Sequence, residues 1–393
     1  MTTLDRRRQP DAIRDILAAA AAPGVLSMAG GLPAPDSFPV AELVTVIDEV
    51  MSSAAAEALQ YGPVEGIPAM RAVLAARAGE TGRRTDPDRV LVTSGSHQGL
   101  ALTANVLVAP GDTVALEDPS YLGAVRVFHQ AGAELLAVPS DEDGMDTEAL
   151  ADRLRHGARC RLVYVVPHFH NPTAAVLTEE RRRHLAELAD HYGFLVVEDD
   201  PYADLAFDGT RLPSVDTFSD RVIRLLSLSK TLCPGFRVAG LVAPPELVDP
   251  LTTAKQDADL QTNTFGQHVV SRLLSLPGFL PRHVARLQAD YRARAGHLTR
   301  LLDPLDWLTF PAPRGGLFFW ASITSGVIDA PTLAATAIRL GLAIVPGPPF
   351  CITRDGSRHI RLSYATLPPT RMPEAVRRLA LAHSLATSTG APD

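Results

Sequence analysis

The chain has 393 residues, of which 46% are hydrophobic and 21% charged, and a formal net charge of −7. That length suits one large domain or two to three ordinary ones, with ample apolar material for a core. The negative balance offers no broad footprint for nucleic acid, and no window supplies the ~18 uncharged apolar residues of a membrane span. Cys160, Cys233 and Cys351 are scattered and odd in number, which argues against a disulfide framework and for a reducing, cytoplasmic setting. Of the 37 basic residues, 35 are Arg and two are Lys, Lys230 and Lys255. Any chemistry that needs an amine therefore has two candidate side chains.

In chain order, the start carries Arg6-Arg7-Arg8, but no signal-peptide core follows. The apolar run Ile16 to Met28 is short and broken by Pro23 and Gly24. From about residue 90, short apolar runs alternate with helical patterns. The spacing predicts strands at 90–93, 113–116, 135–138, 162–166, 194–197 and 222–226, and helices over 97–107, 123–131, 147–155 and 178–192. Nearly continuous apolar strands separated by helices predict a mainly parallel sheet with crossover connections. Beyond residue 280 come a long amphipathic stretch, 283–302, and strand-like pieces at 316–321 and 359–364, punctuated by Pro311, Pro313, Gly315 and Gly316. The expected organisation is an N-terminal arm, 1–45, contributing to the small domain, a large α/β domain, 46–280, and a smaller α+β domain, 281–393.

In parallel sheets, ligands collect beyond the carboxyl ends of the strands. Here those ends read Ser94-Gly95-Ser96-His97, Asp118-Pro119-Ser120-Tyr121, His168-Phe169-His170-Asn171-Pro172, Asp199-Asp200-Pro201-Tyr202 and Ser227-Leu228-Ser229-Lys230. A purely structural sheet does not require polar, aromatic and ionisable residues at every end. Lys230 is a candidate amine for bonding an aldehyde. Pyridoxal 5′-phosphate needs such an amine, an acid facing its ring nitrogen, a donor to its phenolate oxygen, a phosphate cradle and a ring holder. Asp199 suits the acid, and Tyr202 and Asn171 suit the donor. Ser94-Gly95-Ser96, opening a helix, suits the cradle with Ser227 and Arg237, and Tyr121 can stack on the ring. Each is weak alone; together, in this order, they are specific.

With these residues set out, the chain resembles the class I/II pyridoxal-phosphate-dependent aminotransferases of fold type I, and within them the 2-aminoadipate/kynurenine (LysN-like) branch. The matching runs include Ser27 to Pro33, Leu59 to Gly66, Thr93 to Ser96, Asn171-Pro172-Thr173, Glu198 to Tyr202, Ser227 to Lys230, Gly235 to Gly240 and Ile360 to Ser363. The resemblance covers about residues 12 to 365. It implies that Lys230 forms the internal aldimine, that Asp199 pairs with the pyridine nitrogen, and that Tyr202 and Asn171 reach the phenolate oxygen. It implies that Ser96, Ser227 and Arg237 hold the phosphate while Ser94 and Gly95 shape its turn, with His97 beside it and Tyr121 on the ring. Arg361 would clamp the substrate α-carboxylate, and Gly31 would close over the substrate. Arg14 would recognise a distal acidic side chain or lie on a solvated helix face. Tyr61 would reach into a partner subunit's site, since such sites form at a homodimer interface.

The implied activity moves an amino group from an L-amino acid, 2-aminoadipate, aromatic or similar, to a 2-oxo acid. Three departures stand out. Ala174 replaces the Gly of the family's Asn-Pro-Thr-Gly, His97 replaces a usual Gln, and His170 stands where Gln is common. Neutral hydrogen-bonding histidines are one reading of His97, His168 and His170. An extra acid/base group is the other, and would suit a lyase, replacement or cyclisation enzyme on the same fold. No acidic or Cys ligand completes a metal set with His168 and His170. Ser227-x-x-Lys230 also fits serine acylases, but the Lys-Thr-Gly and Ser-Asp-Asn runs they need are absent. A DNA-binding regulator would need a further domain ahead of the arm, for which the chain as given leaves no room.

Overall fold

The computed structural model describes residues 20, 22–326 and 328–389. They form two compact units. The smaller takes the described parts of Met1–Ala34, Ala293–Pro313 and Leu317–Asp393, and the larger takes Pro35–Arg292 and Arg314–Gly316. The division at Arg292/Ala293 falls inside one continuous helix, Phe279–Leu302.

Strands are numbered along the chain, beginning with β1, Leu26–Ser27. The larger unit holds β2 (Val90–Thr93), β3 (Thr113–Asp118), β4 (Glu134–Asp141), β5 (Gly144–Met145), β6 (Cys160–Val165), β7 (Leu195–Asp199), β8 (Val222–Ser227) and β9 (Ala239–Val242). They make one sheet in the order β2-β9-β8-β7-β6-β3-β4-β5. Neighbours from β8 through β7, β6 and β3 to β4 are parallel, while β9 is antiparallel to both β2 and β8. Strands β2, β8, β7, β6 and β3 therefore end on the same edge. Each expected strand is present within a few residues. The additions are the two-residue β5 and β9, and the four residues of β9 follow a Pro-Gly turn and include Gly240. A side chain there would press on Leu74, at 3.1 Å from a Cβ.

The apolar character of β6 follows from burial on both faces. Leu162, Val163, Tyr164 and Val165 are all fully buried. Val163 and Val165 join the helices Thr147–Arg155 and Glu179–Tyr192 in one apolar cluster. Tyr164 points the other way, edge-on to Phe128 of the helix Leu122–Gln130. Helix starts follow the sequence signals: the Asp146 side chain accepts from the Glu148 and Ala149 N–H groups, and Thr178 accepts from Arg181 N–H.

The smaller unit has an antiparallel sheet of β10 (Leu308–Thr309), β11 (Phe318–Ile323), β14 (His359–Ser363) and β13 (Val345–Pro346), with Trp320 opposite Arg361. The strand β12 (Leu342–Ala343) pairs with β1 in parallel. Among the described residues no helix is long and apolar enough to cross a membrane.

Candidate active site

The shared edge of the larger sheet collects the predicted residues. Asp199 is the last residue of β7 and is buried. Its Oδ2 accepts a 2.9 Å bond from the Tyr164 hydroxyl, and its Oδ1 carries no hydrogen bond. Burial pushes its carboxyl up to about 7, while the Tyr164 bond and the charge of Lys230 pull it down. Lys230 and Asp199 thus act on each other across the ends of neighbouring strands. Tyr164 is held protonated by burial first, then by Asp199, Tyr121 and Glu117 around it. Tyr121 follows the β3 end, just ahead of the helix Leu122–Gln130. Tyr202 and Asn171 are buried close to the β7 and β6 ends.

The anion turn is built on the helix Ser96–Leu107, capped by Gly95 at φ +94°. A Cβ at Gly95 would lie 2.3 Å from Nη2 of Arg237, so only glycine allows that guanidinium so near. Nη2 of Arg237 donates to the Ser94 carbonyl at 2.9 Å. Arg237 itself is left-handed, at φ +54° and ψ +46°, a strain worth about 1 kcal/mol or more for a residue with a side chain. Ser96 Oγ is buried and carries no hydrogen bond. The first-turn N–H groups and the helix dipole favour an anion here. His97 follows in that turn, and partial desolvation and then the Arg237 charge shift its imidazole below the usual range. Ser227 ends β8, and its Oγ accepts from Ser229 N–H at 3.2 Å.

Sequence reasoning missed three supports. Tyr164 looked like one more apolar strand residue. His168 and His170 proved to be tied to carboxylates: Nδ1–H of His168 meets Asp200 Oδ2 at 2.9 Å, and Arg182 donates to its Nε2 at 3.2 Å. Burial works against the Asp200 charge, but His168, Arg182 and Arg224 outweigh it and hold its carboxyl below the usual range. Nε2 of His170 lies 3.2 Å from Glu117 Oε2, and His170 Nδ1 lies 3.0 Å from Thr173 Oγ1. Burial drives this pair neutral, Glu117 up to about 8 and His170 down to about 3. For His170 that is the neutral reading. The third support is the buried Lys255 paired with Asp259, whose carboxylate accepts from Gln98 and Ser94. Among the described residues no group of three His, Cys, Asp or Glu is placed to hold a metal ion.

In the smaller unit, Arg361 is buried. Its Nη2 donates to the Ala29 carbonyl at 2.6 Å, and its guanidinium lies over the rings of Phe318 and Phe350, at 4.3 and 4.9 Å. Gly31 packs on the same Phe318, 2.9 Å from where its Cβ would be. Tyr61, in the larger unit, is 78% exposed. Arg14 lies outside the described residues.

A buried acid that feels the charge of a lysine, on the same sheet edge as a glycine-capped helix start, suits a cofactor-dependent α/β enzyme. Residues 33–379 match the family model for aminotransferase class I and II. The chain is 39% identical to the 2-aminoadipate transaminase of Thermus thermophilus, over 95% of this chain and 94% of that one. It is 35% identical to aromatic-amino-acid aminotransferase 1 of Thermococcus litoralis, over 94% and 90%. Among solved structures, it superposes on LysN, the alpha-aminoadipate aminotransferase of Thermus thermophilus complexed with N-(5′-phosphopyridoxyl)-L-leucine. That match has a TM-score of 0.90 at 37% identity and covers 99% and 98% of the two chains. The chain belongs to the aminotransferase class I and II family, and its architecture is fold type I of the pyridoxal-phosphate-dependent transferases.

Proposed function

We propose that the protein transfers the amino group of an L-amino acid to a 2-oxo acid with pyridoxal 5′-phosphate, and that the strand-end residues carry it out. The observation that carries this reading is the buried, unbonded Oδ1 of Asp199 beside Lys230. Such an atom calls for an N–H donor, and a protonated pyridine supplies one. The buried, unbonded Ser96 Oγ and the Gly95–Arg237 approach fit a phosphate in the same way.

When bound, the cofactor supplies an aldehyde that takes up the amino group and a ring that stores the electrons of the broken Cα–H bond. The Asp199 carboxylate accepts the ring N–H, and Tyr164 fixes its rotamer through Oδ2. Tyr202 and Asn171 donate to the phenolate oxygen, and Tyr121 lies against the ring. Ser96, Ser227, Arg237 and the first-turn N–H groups bind the phosphate. The Lys230 amine, freed from the aldehyde, would serve as the base that takes a proton from the substrate Cα. Arg361 holds the α-carboxylate, which sets the Cα bond that breaks. Phe318 and Phe350 pre-orient its guanidinium, and Gly31 leaves room above Phe318.

The donor is 2-aminoadipate, an aromatic amino acid or a similar one, as the names of the relatives suggest. These names do not favour a lyase or cyclisation enzyme. A homodimer is the second part of the proposal. The helix Val40–Ser53 leaves Val40, Val44 and Met51 exposed on one face, with Leu59 and Tyr61 exposed beyond it. A second copy would cover this apolar face and receive Tyr61 at its own site. A cytoplasmic setting suits three free cysteines, two of them, Cys160 and Cys233, pushed up to about 11 by burial and so unreactive.

Borohydride reduction of the cofactor-loaded protein, followed by peptide mass mapping, tests the reading. A pyridoxyl group on Lys230 is expected. A label on Lys255, or no label, would overturn it.

A further inference from the structure

Lys255 is the other lysine, and its place is not that of a surface cation. It is fully buried on the helix Pro245–Asp259, and its Nζ lies 2.6 Å from Oδ1 of Asp259, the last residue of that helix. The other oxygen of Asp259 accepts from Gln98 Nε2 at 2.6 Å and from Ser94 Oγ at 3.1 Å. Gln98 Oε1 in turn accepts the Ser94 N–H at 2.7 Å. On the far side, Arg237 Nη2 holds the Ser94 carbonyl. Ser94 is thus tied at its N–H, its hydroxyl and its carbonyl, while Ser96 Oγ two residues on is buried and has no hydrogen bond.

We infer that Lys255 is a positioning residue for the phosphate turn: through Asp259 and Gln98 it sets Ser94, and it cancels a carboxylate charge that would otherwise face a bound phosphate. Two physical points support this. First, Asp259 is useful as a double acceptor for the turn, but a lone carboxylate one hydrogen bond from an anion site repels the anion. An adjacent ammonium removes that penalty and leaves the acceptor geometry intact. Second, the task needs a compact point charge at a fully enclosed spot, which suits Lys better than the wide fork of Arg. In a chain with 35 Arg and two Lys, both lysines then serve one cofactor, one at its aldehyde and one behind its phosphate.

The inference rests on the cofactor reading above, and the test separates the two. Apo full-length protein is titrated with pyridoxal 5′-phosphate and with pyridoxal, which lacks the phosphate. Lys255→Met is expected to weaken pyridoxal phosphate about tenfold or more, the equivalent of about 1.4 kcal/mol, and to change pyridoxal less than about twofold. Lys255→Met combined with Asp259→Asn, which buries no charge, recovers most of the loss. Gln98→Leu, an independent cut in the same chain of bonds on a helix that needs no lysine, shows the same phosphate-selective loss if Lys255→Met does not fold. Equal losses for the two aldehydes, no loss for either, or no recovery in the double variant would overturn the inference. Inorganic phosphate provides the arm that does not depend on the aminotransferase reading. It raises the melting temperature of the wild-type apo protein and raises that of Lys255→Met or Gln98→Leu less. Equal shifts overturn the inference even where the cofactor reading stands.

Discussion

Replacing Asp199 by Asn separates the stability of the site from its chemistry. Burial raises this carboxyl from the usual 3.8 to about 7, opposite to a salt-bridged acid. Below the unfolded value both states are protonated and nothing is at stake. As the pH rises, the unfolded chain ionises first, so the native state loses stability until its own carboxyl ionises near 7. The full penalty is about 4 kcal/mol, present above neutrality, and it falls to about 2 kcal/mol near pH 5. Asparagine keeps an oxygen for the Tyr164 bond and never ionises. Apo Asp199→Asn should therefore be more stable than wild type, by about 2–3 kcal/mol more at about pH 8.5 than at about pH 5. Denaturant unfolding of both apo proteins at the two pH values measures the difference. Amino transfer should fall by about 100-fold or more, because an amide cannot hold the ring nitrogen as an ion pair. A gap that does not change with pH, or a less stable variant at high pH, would refute the buried-acid account.

Other substitutions test the remaining parts. Ala174 sits at φ +60°, where glycine is at ease, so Ala174→Gly should stabilise the protein by about 0.5–1 kcal/mol in denaturant unfolding. A loss would show that the alanine methyl is needed. His170→Gln keeps a neutral hydrogen-bonding side chain beside Glu117, so kcat and its pH profile should stay within about twofold. A vanished limb of the profile would make His170 an acid/base group after all. Arg361→Met should raise KM for the amino acid about 30-fold, near 2 kcal/mol, with a smaller fall in kcat. An unchanged KM would remove Arg361 from the substrate.

The strands and their ends were legible because fully buried parallel strands are short apolar runs, and because the cofactor's polar partners interrupt those runs at each carboxyl end. β9 was not legible: four residues beside a Pro-Gly turn, with a glycine at the Leu74 contact, carry little strand pattern. Tyr164 was hidden inside an apolar run, since alternation alone does not say that one hydroxyl reaches the next strand's Asp199. The histidines at 168 and 170 were ambiguous because their partners, Asp200 and Glu117, come from other strands. Lys255 and Asp259 lie four residues apart on one helix, so their pairing could have been read from the spacing; their link to Gln98 and Ser94 could not. More than 150 residues separate Gln98 from the lysine, and only the folded sheet brings them together.

The reaction proposed for this protein exchanges an amino group for a keto group. The most direct measurement is a single half-reaction: cofactor-loaded enzyme is mixed with one amino acid at a time, 2-aminoadipate and aromatic ones included, with no 2-oxo acid added. Loss of the aldehyde-form absorbance is expected, with one 2-oxo acid released per site, the cofactor left in its amine form, and recovery of the band on adding 2-oxoglutarate. Consumption of an amino acid with the cofactor still in its aldehyde form would contradict it.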